Sequence, residues 1–492
     1  MAADSAFPDS RQSTEGAAAA RRDLAVRAAV AQGLVGGTEG CEPLVCLLDV
    51  AGIRASAAAL TAAFTAALPP GTPVLHAFAV KAAPLVPVLR LLAAEGIGCE
   101  VASPGELALA RAAGVEPGRT VLDSPAKTPA ELREALALGI AVNADNRQEL
   151  ERLDALVAAL PAAAAPAGTA PAAAASPIGA APPIRTVPPI GTASPIGIRV
   201  NPQTGAGSIG ALSTATSTSK FGVALRDEGA RAWLLRAYAE RPWLTRLHTH
   251  SGSQGVPLPL IAQGVRELHG LAEEINAAAL RRTGRRQIDT LDIGGGLPVN
   301  FASDAAAPTY AEYVDALRAA VPALFDGSYG LVTEFGRSLL AKHGLVLARV
   351  EYTKTTGGRP IALTHAGVQL ATRTVYAPDA WPVRILAYDA KGAPKTGAPV
   401  AQDVAGPACF AGDLLAQDRP LPPLAPGDLI GVPDTGAYFF TAHYGYNSLP
   451  RPAVHGFTVT AAGEVRFALA RPAQSPAELV AEAGGDLRDA LL

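Results

Sequence analysis

Cysteine, methionine and tryptophan are scarce in this 492-residue chain, at four, one and three. The cysteines, Cys41, Cys46, Cys99 and Cys409, show no zinc-like pairing and are too few for a disulfide scaffold. No apolar run of about 18 residues is free of charge or proline, so none reads as membrane-spanning. The start has no basic segment followed by an apolar one, so no signal peptide is expected. Charge of one sign is not in excess either. The net charge of −3 gives no electrostatic case for nucleic acid or a membrane surface. These absences together predict a reduced, soluble, cytoplasmic protein.

Lysine is also rare. There are seven, Lys81, Lys127, Lys220, Lys342, Lys354, Lys391 and Lys395, so most basic residues are arginine. One of them, Lys81, closes the apolar run Val74-Leu-His-Ala-Phe-Ala-Val-Lys81, and Pro84 and Pro87 then open a helix. A lysine at a buried strand end either snorkels to water or loses its proton to desolvation. In the second case it is a nucleophile for a carbonyl carbon.

The rest of the chain is a rhythm of short apolar runs and Ala/Leu-rich helical spacing. Residues 1–22 read as a disordered tail, although Ala17 to Leu34 has helical composition. Leu44–Asp49 reads as a strand, and Ile53–Leu68 as a helix. Strands are then expected at Val74–Lys81, Gly98–Ser103, Thr120–Ala126, Ala141–Asp145, Ile196–Pro202, Arg246–Ser253, Ile288–Gly294 and Leu331–Gly336. Helices fall between them, among them Glu106–Ala113, Pro129–Leu138, Arg147–Leu160, Leu258–Leu280 and Tyr310–Leu324. Eight strand–helix units predict a (β/α)8 TIM barrel over 51–340, with an open doubly wound sheet as the competitor. The Ala/Pro/Gly/Ser-rich stretch 161–195 reads as a disordered insertion. From 341 to 470, strands at Gly344–Lys354, Pro360–Thr364, Val383–Asp389, Asp428–Val432 and His455–Thr460 indicate a C-terminal β domain. The segment 23–50 is expected to lend its strand to that domain, and 471–492 to form a tail with one short helix.

In such barrels the C-terminal strand ends carry the site. Here they offer Lys81, Glu100, Arg199-Val-Asn-Pro202, His248-Thr-His250-Ser-Gly-Ser253, Asp292-Ile-Gly294-Gly295-Gly296 and Glu334-Phe-Gly-Arg337. Each has a plainer reading. Three glycines can be only a flexible turn, Glu334 and Arg337 only a salt bridge. His248 and His250 share one strand face and could be a metal pair, but no third His or Cys follows nearby, so no metal is expected. Taken together, a glycine phosphate cradle, a reactive lysine, a stacking imidazole and a buried acid fit pyridoxal phosphate, with Glu334 as partner of its ring nitrogen.

These residues also carry a family resemblance. The chain resembles the fold-type III pyridoxal-phosphate decarboxylases (the diaminopimelate, ornithine and arginine decarboxylase group). The match runs through Ala79-Val-Lys-Ala82, Ser124-Pro-Ala-Lys-Thr128, Ser219-Lys-Phe-Gly222, His250-Ser-Gly-Ser253, Asp292–Gly296, Glu334-Phe-Gly-Arg337, Gly406-Pro-Ala-Cys409 and Gly436-Ala-Tyr438. Tyr446-Asn-Ser-Leu-Pro-Arg451 is nearest the diaminopimelate type. The resemblance implies an alanine-racemase-like barrel followed by a β-sandwich or β-barrel domain, and pyridoxal 5'-phosphate joined to Lys81 as an imine. It implies that His250 stacks on the cofactor ring and that Ser253, Gly294, Gly295, Gly296, Arg337 and Tyr446 hold the phosphate, with Tyr438 near it. Glu334 would pair with the ring nitrogen, and Glu100 and Arg199 would support the site. Arg373 and Tyr376 would meet the substrate. Cys409 would reach the site of a second subunit and protonate the carbanion left by CO2 loss, so a homodimer with shared sites is implied.

Four positions depart from the family. Phe410 stands where an acidic residue contacts the substrate's distal amine, Ala83 for the usual Asn, Phe335 for the usual Pro, and His365 for the usual Asp. The expected activity is decarboxylation of an amino acid, or amino-acid conjugate, whose far end is not a free ammonium. An amino-acid racemase on the same fold is the competing activity. Racemases of this fold use Arg at the ring nitrogen and a Tyr base, against which Glu334 and Cys409 argue. A non-catalytic cofactor-binding relative is the third alternative.

Overall fold

Capping chemistry places many of the helices. Thr128 and Glu131 form a reciprocal capping box with Pro129 in the first turn, and Thr309 with Glu312 repeats it. The computed structural model describes residues 10–36, 41–159 and 194–492. In order, the chain runs α1 (Ser10–Ala31), β1 (Leu44–Asp49), α2 (Val50–Ala67), β2 (Val74–Ala79), α3 (Val86–Ala94), β3 (Gly98–Val101), α4 (Pro104–Ala112), β4 (Thr120–Leu122), α5 (Pro129–Leu138), β5 (Ala141–Ala144), α6 (Arg147–Ala158) and β6 (Ile196–Asn201). There follow β7 (Val223–Ala224), α7 (Ala230–Glu240), β8 (Leu244–His248), α8 (Leu258–Thr283), β9 (Thr290–Asp292), α9 (Tyr310–Ala320), β10 (Gly330–Thr333) and α10 (Arg337–Leu340). The last part is β11 (Gly344–Thr356), β12 (Arg359–Thr364), α11 (Val368–Tyr376), β13 (Leu386–Tyr388), β14 (Val400–Ala405), β15 (Leu414–Leu421), β16 (Leu429–Pro433), β17 (Ala453–Val459), β18 (Val465–Arg471) and α12 (Pro476–Glu482).

The eight expected barrel strands are all present and parallel, in the order β5-β4-β3-β2-β10-β9-β8-β6. A β5–β6 pairing closes them, which rules out the open sheet. β7 adds to β6 outside the ring. The second unit is a β sandwich. Its long strand β11 pairs with β1 and β16 through its first half and with β12 through its second. β1 therefore belongs to this sheet, antiparallel to β11 and parallel to β17.

Some expectations need correction. Residues 10–22, expected to be disordered, begin α1. Arg21 makes a two-bond pair with Asp49, and Arg22 bonds Asp304, which anchors this helix. Most of the expected insertion at 161–195 lies outside the described residues. Ser194, at its end, is already buried, and its hydroxyl donates to the carbonyls of Ala135 and Leu136. α7, α11, β14, β15 and β18 were not expected. α2 is apolar enough to cross a membrane by length and composition. It instead carries Arg54, paired with Glu95, and buries Ile53, Ala57, Leu60 and Phe64.

Candidate active site

Lys81 sits just past the end of β2, in the 3-10 turn Val80–Ala82, not on the strand itself. Its Nζ donates to Glu100 Oε2 at 2.6 Å. Glu100, on the neighbouring strand β3, is fully buried, whereas the Lys81 side chain is 43% exposed and so faces an opening. Burial acts to strip the ammonium of its proton, but Glu100, Tyr438 and Glu334 outweigh it and raise the pKa. Of the two readings of a lysine at a buried strand end, snorkelling or desolvated and neutral, the charged form is favoured. Lys81 rests as an ammonium and needs a base before it can attack a carbonyl. Glu100, as the carboxylate that accepts from Lys81 and with its Oε1 buried without a partner, is placed to take that proton.

The opposite wall is built from β8, β9 and β10. Glu334 follows β10 and turns Oε2 toward two imidazoles, His250 Nδ1 at 3.2 Å and His248 Nε2 at 3.5 Å. Its Oε1 is buried and unpartnered. Burial would raise this acid, but the two histidines reverse the effect and hold it well below the ordinary carboxylate range. His250 itself is lowered, by burial first, so it is a neutral ring. The trio has donor atoms within 4.8 Å of one another. His250 Nδ1 is hydrogen-bonded to Glu334, whereas His248 faces the same carboxylate oxygen at 3.5 Å with both ring nitrogens buried and without a hydrogen-bond partner.

Between the walls runs the glycine loop. Gly294 and Gly296 have φ of +65° and +82°. A Cβ on Gly295 would collide with the Glu334 carbonyl, and one on Gly296 with the Gly252 carbonyl. The loops after β8, β9 and β10 are therefore packed backbone on backbone, with no room for side chains. Ser253, next to Gly252, closes a turn through its carbonyl to the Val256 N–H. Arg337 begins α10, its guanidinium 4.5 Å from the Tyr438 ring and 5.1 Å from Trp381. Arg373 lies over the same two rings, at 4.9 and 5.3 Å. Each has an Nη1 that is buried without a partner. Burial pulls Arg337 down to about 10, and Arg373 is lowered in the same way. Two adjacent guanidiniums with no carboxylate between them are a site for anions. Tyr438 ties this corner to the lysine turn, for its backbone N–H and the Thr441 hydroxyl both donate to the Ala82 carbonyl at 2.9 Å.

Arg199 lies one layer further in. It donates to Asp123 at 2.9 Å and stacks on Phe221 at 4.4 Å. Asp123 was not singled out by sequence, although it follows a barrel strand as His248 and Asp292, which were, end theirs. Asp292 caps the glycine loop by accepting the Gly294 N–H at 3.1 Å and is itself held by Asn143.

Cys409, Phe410, Tyr376 and Tyr446 form a second group. Tyr376 stacks face to face on Phe410 with centroids 5.7 Å apart, Phe410 meets Tyr446 edge-on at 5.6 Å, and Tyr444 completes the cluster. Cys409 is exposed, and its backbone N–H donates to Asn447 Oδ1 at 2.7 Å. Among the described residues, no hydrogen bond, ion pair or ring contact joins this cluster to Lys81, Glu334 or the glycine loop. Tyr446 is thus with Phe410, not with the expected phosphate cradle. Two of the departures are structural. Phe335 is fully buried against Tyr310 and Tyr313, each at 5.3 Å, and His365 pairs with Glu351 at 3.2 Å.

The donors present suit pyridoxal phosphate. A free buried carboxylate oxygen on Glu334 suits a protonated ring nitrogen, Arg337 and the glycine amides suit the phosphate, and Lys81 suits the aldehyde. A closed parallel barrel with this set at its C-terminal rim defines a pyridoxal-phosphate enzyme. The pyridoxal-binding domain of the pyridoxal-dependent decarboxylases matches residues 54–341. Over 386 residues the chain is 32% identical to diaminopimelate decarboxylase of Pseudomonas aeruginosa, covering 78% of this chain and 81% of that protein. The Deinococcus radiodurans enzyme of the same name is also 32% identical, over 76% of this chain and 82% of its own length. In fold, the chain matches diaminopimelate decarboxylase from M. jannaschii with TM-score 0.74 at 23% identity, over 92% and 94% of the two chains. The Helicobacter pylori enzyme complexed with L-lysine gives 0.72 at 23%, over 91% and 98%. The chain belongs to the pyridoxal-dependent decarboxylase family. It is a pyridoxal-phosphate-dependent amino-acid decarboxylase of the diaminopimelate decarboxylase type.

Proposed function

We propose that the substrate is an amino acid whose distal end carries a carboxylate or an acyl conjugate in place of a free ammonium, and that the product is the corresponding amine plus CO2. The observation that carries this is the Tyr376–Phe410 stack. It fills with aromatic rings the place where the family has an acid for the distal amine. Arg373, with its unpartnered Nη1, supplies a cation for a carboxylate instead.

In this reading, Lys81 holds the cofactor, His250 packs on its ring, and Glu334 Oε1 accepts the ring N–H. Ser253, Gly294, Gly295, Gly296 and Arg337 take the phosphate, with Tyr438 stacked beneath Arg337 and Tyr446 brought in at a subunit interface. When bound, pyridoxal phosphate withdraws the electron pair left on the α-carbon as CO2 departs. Glu100 takes the Lys81 proton and returns it, and Arg199 supports the wall through Asp123. Cys409 gives its thiol proton to the α-carbon of a substrate bound in a second subunit, which makes the enzyme a homodimer in the cytoplasm. The exposed aromatic cluster around Phe410 supports that interface.

The relatives named for diaminopimelate favour a second reading, meso-diaminopimelate itself, which Arg373 would also suit. A panel of amino acids scored for released CO2 separates the two. The first reading expects distal carboxylates and acyl or citryl conjugates to turn over well and meso-diaminopimelate poorly, with Phe410→Glu improving the latter. Efficient decarboxylation of meso-diaminopimelate, lysine or ornithine by the unaltered enzyme would sink it. Shared sites are tested by mixing Lys81→Ala and Cys409→Ala proteins. Each should be nearly inactive alone, and the mixture should recover part of the activity. No recovery would remove the trans role of Cys409.

A further inference from the structure

His248 is fully enclosed, with none of its side chain exposed. Nε2 lies 3.5 Å from Glu334 Oε2, and Nδ1 lies 3.6 Å from Asp123 Oδ1. Asp123 is in turn gripped by Arg199 at 2.9 Å. Asp292, on the neighbouring strand β9, adds a further negative charge nearby, and the neutral His250 shares Glu334. An imidazole set between two carboxylates through opposite nitrogens is built to carry a proton on each. The pocket agrees, since the surrounding acids raise His248 to about 9 against a strong opposing effect of burial.

We propose that His248 is a positioning residue which, as a buried imidazolium in the line Arg199–Asp123–His248–Glu334, keeps Glu334 a carboxylate with Oε1 free, so that the proton shared with the cofactor's ring nitrogen stays on the nitrogen. The reasoning is electrostatic. Glu334 and a pyridine nitrogen compete for one proton. A cation on the far side of Glu334 stabilises the charged pair over the neutral one, because it is nearer the negative end. Without it, a buried carboxyl in this site would take the proton. The ring nitrogen would then be a neutral acceptor and a poorer electron sink. His250 does not supply that charge, because burial lowers its pKa. This inference is independent of which amino acid is decarboxylated.

The test uses the holoenzyme loaded with pyridoxal phosphate labelled with nitrogen-15 in the ring. At neutral pH the unaltered enzyme should show a protonated pyridinium signal. In His248→Gln the signal should move toward that of a neutral pyridine, with Asp123→Asn moving it the same way. In both variants kcat should fall about tenfold or more with little change in KM. A pyridinium signal that is unmoved in a folded, cofactor-loaded His248→Gln would overturn the proposal. Should neither variant fold, histidine nitrogen-15 spectra of the unaltered holoenzyme decide. Two protonated nitrogens on His248 at pH 8 are expected, and a neutral His248 would overturn the role.

Discussion

Glu100, Asp123, Asp292 and Glu334 are all buried around one pocket, with Lys81, Arg199 and His248 as the cations among them. The acids outnumber the cations, so the pocket retains protons. Burial raises Asp292 to about 7, and the acids raise His248 to about 9. Each group therefore keeps a proton in the folded chain that the unfolded chain has released at lower pH. Stability is then lost as pH rises through these values. His76 and His343, pushed down to about 4 by burial, act in the opposite sense, but only below about 6.5. The cofactor-free protein should thus lose stability, on the order of a few kcal/mol, between pH 6.5 and 9. Thermal denaturation across that range should show a falling Tm, and His248→Gln should flatten its upper part. A Tm that climbs toward pH 9 would contradict this picture. The residue types of the pocket were legible because charged side chains collect at strand ends. Their protonation was not. Lys81 looked desolvated until Glu100 was found 2.6 Å away on the next strand, a contact that depends on register between β2 and β3.

The loop after β9 does the finest positioning of any element. Gly295 touches the backbone of Glu334, so Gly295→Ala must move the strand end that carries the ring-nitrogen partner. Overpacking of this kind costs about 1–3 kcal/mol. The same change should weaken cofactor binding by about tenfold or more, as read by absorbance titration. Gly118, which has open space around its missing Cβ, should accept alanine with neither effect. Elements were legible where local chemistry was consistent. α5 runs over Pro129–Leu138, as expected, because Thr128, Pro129 and Glu131 fix its start and Gly139 its end. β14 and β15 were missed because Gln402, Asp403, Asp418, Arg419 and Pro420 interrupt the apolar pattern, and register shifts break their pairing. Phe335 looked like a change in the pocket. Only the packing of α9 reveals that Tyr310 and Tyr313 enclose it.

Across the whole molecule, one carboxylate joins three segments. Asp304, from the barrel loop after β9, accepts Arg22 from α1 at 2.8 Å and Arg384 from the β domain at 2.6 Å. Arg384 continues to Asp434, and Lys342 pairs with Asp434 at 2.9 Å. Asp304→Ala takes this carboxylate from Arg22 and leaves Arg384 with Asp434 alone, and should cost about 1–3 kcal/mol in urea unfolding. The loss should shrink in acid, because the arginines hold Asp304 down at about 2, and its contribution fades as pH falls through that value. The two-part architecture was legible from the change of rhythm near residue 341. The role of α1 was not, because one of its anchors, Asp304, lies 282 residues away in the chain. The position of β1 carries a last consequence. Val45 pairs with Ala453 on one side and Leu347 on the other, so the whole barrel is spliced into the sandwich. A ribosome delivers β1 first and β17 nearly last. The barrel can close on its own schedule and β11 can then pair one edge of β1, while the other edge must wait for β17 until synthesis is almost complete. A chain cut short after the barrel would leave that edge exposed for good, so truncation products of this enzyme should aggregate in preference to persisting as free barrels.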